Sequence, residues 1–404
     1  MDINPMAAGL SKVRLERITH HLQRNFIEPG KLAGCQTLVA RKGVIGYFSS
    51  LGFADLSAQT PVQDDTIFRI YSMSKPVTSV ALMQLYERGL FQLNDPISRV
   101  IPQWRDMKVY TGSGAPYEKT FEPLTSPVTF RHILSHTAGL SYGNGHHPVD
   151  ALYRDAGLDR HSGMSLQSFV ESLGTIPLHF QPGNAWLYSY ATDVCGYLVE
   201  ALSGRSLGDY LRQEIFEPLE MQDTGFYVPE AKAARFAANY QRGPDKTLSL
   251  IDDPRTSGYL KPPVFESGGG GLVSTSQDYL NFCQMLIQEG SWRDQRILSR
   301  RTLALMTQNH LGGHRDLTQM AKGSFSETAY EGIGFGLGFA MNLSEVASGQ
   351  IGAGDFYWGG AASTIFSVDP SEELAIIFMT QLMPSSTFNF RGQLKNIVYG
   401  AIDD

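Results

Sequence analysis

Ser72 and Lys75, in the run Ile70-Tyr71-Ser72-Met73-Ser74-Lys75-Pro76, have the types and the spacing to arm a hydroxyl for acyl transfer without a histidine. A free serine hydroxyl is a poor nucleophile near neutral pH and needs a group within hydrogen-bond reach to take its proton during attack. A lysine three positions further along a helix lies beside it. Pro76 sets where that helix begins, because proline has no N–H and is tolerated only in the first turn. Ser72 therefore sits at the positive end of the helix dipole, its own N–H free to donate to a forming oxyanion. Val77, Val80, Leu82, Met83, Leu85, Tyr86 and Leu90 carry an apolar helical rhythm up to Gly89, which predicts a buried helix. With 35 Ser and 11 Lys in the chain, about one Ser-x-x-Lys arises by chance, the bland alternative being a helix start with a solvated lysine. The pair needs partners elsewhere.

The elements that could position it come from a chain of 404 residues, 42% hydrophobic and 18% charged, long enough for one large or two interleaved domains. Its net charge of −7 is spread without blocks of like charge, which argues against nucleic acid or an anionic membrane surface and for a small neutral substrate. Met1-Asp2-Ile3-Asn4-Pro5 has neither a basic nor an apolar leader pattern, and no segment holds an unbroken apolar run of about 18 residues, so a soluble, cytoplasmic protein is expected. Cys35, Cys195 and Cys283 are odd in number, far apart and set among apolar residues, which suits reduced core thiols better than disulfides or a catalytic thiol.

Residues 11–27, with Val13, Leu15, Ile18, Leu22, Phe26 and Ile27, predict an amphipathic helix. Residues 35–40 and 44–48 predict a hairpin turning at Arg41-Lys42-Gly43. From 93 to about 253 the pattern shifts to short helical segments between loops, with one helix beginning at Thr129 and another ending at Gly204. Thr275-Ser276-Gln277-Asp278 has the form of a capping box after the glycine run 268–271, and those glycines suit close backbone packing better than a phosphate cradle, since no Gly-Lys-Ser/Thr follows. Residues 334–341, 356–360, 364–368 and 374–380 read as strands and 388–402 as a closing helix. Strands at both ends with helices between them predict an α+β fold: an antiparallel sheet flanked by helices from residues 1–92 and 254–404, and a mainly helical second domain from 93–253.

With these segments in order, the chain resembles the serine β-lactamases of class C, the DD-peptidases, and the carboxylesterases built on the same fold, known as family VIII esterases. The likeness covers most of the chain. It rests on Ser72-Met73-Ser74-Lys75, Leu93-Asn94-Asp95-Pro96, residues 131–140 (Arg-His-Ile-Leu-Ser-His-Thr-Ala-Gly-Leu), Pro182-Gly183 to Tyr188-Ser189, residues 270–275, and Trp358-Gly359-Gly360. The resemblance puts the third catalytic role on Tyr188, sharing a proton relay with Lys75. Where the lactamase pattern has Asn two residues after the tyrosine, this chain has Tyr190, and where it has Lys-Thr-Gly, this chain has Trp358-Gly359-Gly360-Ala361. The cation that would attract a β-lactam carboxylate is therefore replaced by an indole, an apolar wall with one N–H. Gly359 and Gly360 are expected to let the strand approach the substrate, and the Ala361 N–H to complete an oxyanion hole with that of Ser72.

The resemblance thus implies a serine carboxylesterase for small to medium neutral esters, with Ser72, Lys75 and Tyr188 catalytic, Trp358, Gly359, Gly360 and Tyr190 at the substrate, and no metal or organic cofactor. The competing readings are an acyltransferase on the same acyl-enzyme, a β-lactamase or DD-peptidase, and a non-catalytic binding protein. His132 and His136 suit structural roles, and two glycines break the spacing of His310 and His314. No Gly-x-Ser-x-Gly elbow is present.

Overall fold

Residues 374–380 and 35–40 are apolar or uncharged without a regular polar alternation, so as strands they need cover on both faces. The computed structural model, which describes residues 2–112, 120–159, 163–323 and 330–404, provides it. The strands are β1 (Gly34–Arg41), β2 (Val44–Asp55), β3 (Thr60–Pro61), β4 (Ile333–Phe335), β5 (Ala340–Asn342), β6 (Phe356–Gly359), β7 (Ile365–Asp369) and β8 (Leu374–Thr380). Among the described residues they form one antiparallel sheet in the order β4-β5-β6-β7-β8-β1-β2-β3, so the two ends of the chain meet where β1 pairs with β8. The fold is α+β.

Alternation along the central strands divides their side chains between two cores. Leu38, Ala40, Ala375, Ile377 and Met379 face one side. Cys35, Val39, Leu374, Ile376 and Phe378 face the other. The second side is covered by α1 (Lys12–Leu22) and the closing helix, through Leu15, Ile18, Leu22, Leu394 and Val398. Val13, read as part of that apolar stripe, is 73% exposed. It lies two residues before Leu15, about 200° round the helix, and so points away from the sheet. The β1–β2 turn has Lys42 and Gly43 both in the left-handed region, the two-residue geometry that matches strand twist.

The first side carries α2 (Ser74–Glu87), buried continuously from Ser74 to Leu85. Pro76 is its third residue, inside the first turn as its chemistry requires. Around α2 pack α3 (Phe130–Leu134), α4 (Ala191–Ser203) and α5 (Ser276–Ile287), before the chain closes with α6 (Phe390–Tyr399). Thr129 caps α3, with His132 completing the box, and Gly204 ends α4 at φ +72. Thr275 caps α5 through its hydroxyl, but Asp278 does not close a box; its carboxylate accepts from the Asp223 N–H and the Thr224 hydroxyl.

Residues 93–253 contain strands as well as helices: Asn239–Arg242 pairs with Leu248–Asp252 and runs parallel to Leu382–Met383. Residues 334–341, expected as one strand, are the hairpin of β4 and β5. The chain doubles back at Gly336 and Gly338; Gly338 has φ +96, and a Cβ on Gly336 would stand 2.1 Å from the Met306 carbonyl oxygen. No helix among the described residues is long and apolar enough to cross a membrane.

Candidate active site

Ser72 is delivered by a short strand, a strained residue and a helix start. Phe68–Arg69 pairs with Val273–Ser274. Arg69 is fully buried and anchors this strand through Asp252 at 2.7 Å, the Ala237 carbonyl at 2.6 Å and the Ser257 hydroxyl at 3.2 Å, with Phe236 against its guanidinium. Tyr71 then takes φ +42, a conformation that costs a non-glycine residue about 1–3 kcal/mol and persists only where its surroundings hold it. Its hydroxyl accepts from Asn239 Nδ2 at 2.9 Å. The turn Tyr71–Met73 leads directly into α2, and Ser72 emerges at the floor of a cleft of about 980 Å³.

Lys75, 1% exposed, donates from Nζ to Ser72 Oγ at 3.1 Å and to the Gly269 carbonyl. Its ammonium lies 4.5 Å from the Tyr188 ring centre and 5.7 Å from that of Tyr142, so two aromatic faces compensate a cation removed from water. Tyr188 is held by the backbone of residues 182–189, where the Gly183 amide donates to the Thr137 carbonyl and the Leu187 amide to the His136 carbonyl. Trp358 Nε1 donates to the Tyr188 hydroxyl oxygen at 3.1 Å. Tyr188, far away in sequence, is thus brought to the same place as Ser72 and Lys75.

Trp358 does not stand where the sequence reading put it. It is 1% exposed, on β6 behind Tyr188, and is a partner of the tyrosine rather than a wall of the cleft. Gly359 and Gly360 likewise serve the protein's own packing. A Cβ on Gly360 would stand 2.4 Å from the Ile70 carbonyl oxygen, so this glycine lets the end of β6 close onto the turn that carries Ser72, and one on Gly359 would stand 2.8 Å from Arg391 Nη2 of α6. Ala361 does line the cleft with Ser72, and among the described residues its amide donates to no backbone carbonyl. The Ser72 amide lies in the first turn, where a helix leaves N–H groups without intrahelical acceptors. Tyr190 lines the cleft at the cap of α4, packed edge-on against Tyr142 and Phe169.

The glycine run closes the site from the other side. Asp193, 1% exposed, accepts from Ser267 Oγ at 2.6 Å and the Gly269 amide at 3.1 Å, and so fixes the carbonyl that receives Lys75. A Cβ on Gly269 would meet Asp193 Oδ2 at 2.5 Å, and one on Gly268 would meet the Thr192 carbonyl oxygen at 2.8 Å. Burial, then the Lys75 charge, holds His136 well below the usual histidine range, so it is a neutral ring packed against Tyr188. Burial, then Arg131, lowers His132 to about 4. Burial pushes all three thiols up, which disfavours a thiolate nucleophile. Among the described residues no group of three or more His, Cys, Asp or Glu is placed to hold a metal ion. Sequence reasoning missed Tyr142, Asp193 and the Trp358–Tyr188 bond, because an aromatic, a helix-start carboxylate and a strand indole have many packing roles and only three-dimensional placement separates them.

A family model described as Beta-lactamase matches residues 21–398. Protein Rv1367c of Mycobacterium tuberculosis is 33% identical, the match covering 89% of this chain and 88% of that protein. Esterase EstB of Burkholderia gladioli is 29% identical over 94% of this chain and 93% of its own length. Among solved structures, EstCE1, described as a hydrolase with promiscuous acyltransferase activity, superposes with a TM-score of 0.78 at 26% identity, covering 96% of this chain and 99% of that one.

Proposed function

The chain belongs to the beta-lactamase family, and on that premise we propose that it is a serine carboxylesterase of the family VIII kind, acting through an acyl-enzyme on Ser72. The observation that carries this reading is the Lys75 ammonium held 3.1 Å from Ser72 Oγ and against the Tyr188 ring in one buried cluster. The similarity to EstB and EstCE1 supports the same reaction class.

Ser72 Oγ attacks the ester carbonyl carbon and loses its proton to Tyr188, whose negative charge is stabilised by the Lys75 cation and the Trp358 N–H. Lys75 already donates to two acceptors, which suits it to electrostatic support rather than to taking the proton. The amides of Ser72 and Ala361 receive the oxyanion; one such donor contributes roughly 3 kcal/mol to lowering the barrier. The intermediate collapses, the C–O bond breaks, and Tyr188 returns the proton to the leaving alcohol. Water then attacks the acyl-enzyme by the same route and releases the acid. Position 358 on β6 carries no cation, which supports an uncharged group beside the scissile carbonyl.

Ser72→Ala is expected to abolish hydrolysis of short p-nitrophenyl esters by a folded protein; retained turnover refutes the assignment. Acyl transfer is the second reading, favoured by the EstCE1 similarity, because an alcohol can attack the same intermediate. Adding primary alcohols and quantifying ester against acid products separates the two.

A further inference from the structure

The carboxylates inside the cleft already have partners. Asp150 accepts from Ser141 Oγ at 2.6 Å and from the His147 amide at 3.2 Å, and lies 3.1 Å from His179 Nε2. Asp193 is committed to Ser267 and Gly269. Asp159 is exposed and has an interaction of its own. Among the described residues Lys322 is the one lysine that lines the cleft; it is exposed and forms no ion pair with a carboxylate of those residues, whereas Lys75 is buried beside Ser72.

The backbone at Lys322 is fixed. Its amide donates to the Trp186 carbonyl at 2.9 Å, and the Trp186 amide donates to the Met320 carbonyl at 2.8 Å. Lys322 is therefore stitched to the segment that carries Tyr188 two residues later. Asn144 and His146, both polar, line the same cleft.

We infer that Lys322 binds a carboxylate carried by the ester at a position remote from the scissile carbonyl. The substrates are then half-esters of dicarboxylic acids or esters of carboxylate-bearing alcohols. The inference rests on the esterase reading above and locates a second requirement: an uncharged group beside Trp358's strand, an anionic one at the Lys322 end. No step of the chemistry changes; the ion pair adds binding before acylation.

Two matched ester pairs test this. One pair carries the charge on the acyl side (mono-p-nitrophenyl suberate against its terminal amide). The other carries it on the leaving side (3-carboxyphenyl against 3-carbamoylphenyl butyrate). In one pair the wild-type acid-to-amide ratio of kcat/KM is expected to be about fivefold, as suits an ion pair partly screened by water, and to shrink with added salt. Lys322→Gln brings that ratio to about one through KM, and Lys322→Glu inverts it. Equal ratios in wild type and Lys322→Gln for both pairs overturn the inference, even with brisk turnover of the amides. Failure to turn over any of the four esters instead overturns the esterase reading beneath it.

Discussion

Trp358→Phe separates a partner of the tyrosine from a wall of the substrate site. The substitution keeps an aromatic ring in a position 1% exposed and removes the N–H that reaches the Tyr188 oxygen at 3.1 Å. Leaving a buried polar atom without such a donor costs about 1–3 kcal/mol. If that cost falls on forming the phenolate that takes the Ser72 proton, kcat drops by about 5- to 150-fold. Because Trp358 does not line the cleft, KM for a neutral p-nitrophenyl ester should stay within about twofold. Steady-state kinetics on purified wild type and variant, with circular dichroism and a thermal midpoint to verify folding, read both quantities. A variant with unchanged kcat and a raised KM refutes the reasoning and restores the indole to the substrate wall.

Gly269→Ala forces a Cβ to 2.5 Å from Asp193 Oδ2 and displaces the carbonyl that receives Lys75, so kcat should fall by at least about tenfold; rates within twofold of wild type contradict the packing account. The Asp278 carboxyl is raised to about 6, mainly by burial, and its stabilising share is therefore full below its unfolded value near 3.8 and lost as pH rises through 6. Asp278→Asn removes that loss, so the stability of the variant relative to wild type should improve by roughly 2 kcal/mol between pH 4 and pH 7 in urea unfolding. A difference independent of pH contradicts the assignment. Alkylation of the native protein by iodoacetamide should leave Cys35, Cys195 and Cys283 unmodified and activity intact, with labelling only after denaturation.

The parts of the fold legible in the sequence are those with a local or periodic cause. Pro76 requires a helix start within one turn, and the structure begins α2 two residues earlier. The unbroken apolar run of β8 requires cover on both faces, and two cores supply it. Gly204 ends α4 in the left-handed conformation that glycine tolerates. What stayed hidden depends on contacts between distant residues. The same glycines of 334–341 fit a strand or a hairpin until Met306 closes against Gly336. Tyr71 carries no mark of its left-handed φ, because the strain is held by Asn239 and by the Ala237 carbonyl that anchors Arg69, both far away in sequence. The indole of Trp358 offers the same N–H to a substrate or to a neighbour, and only the approach of residues 182–189 to β6 decides for Tyr188.

The central claim is that Ser72 carries the acyl group. Intact-protein mass spectrometry after acid quench of a reaction with a p-nitrophenyl ester, or after treatment with a fluorophosphonate, measures it directly. The account predicts a single acyl or phosphonyl increment, mapped to the peptide containing Ser72 and absent from Ser72→Ala. Ester turnover with the increment on another residue, or turnover that survives in Ser72→Ala, contradicts it.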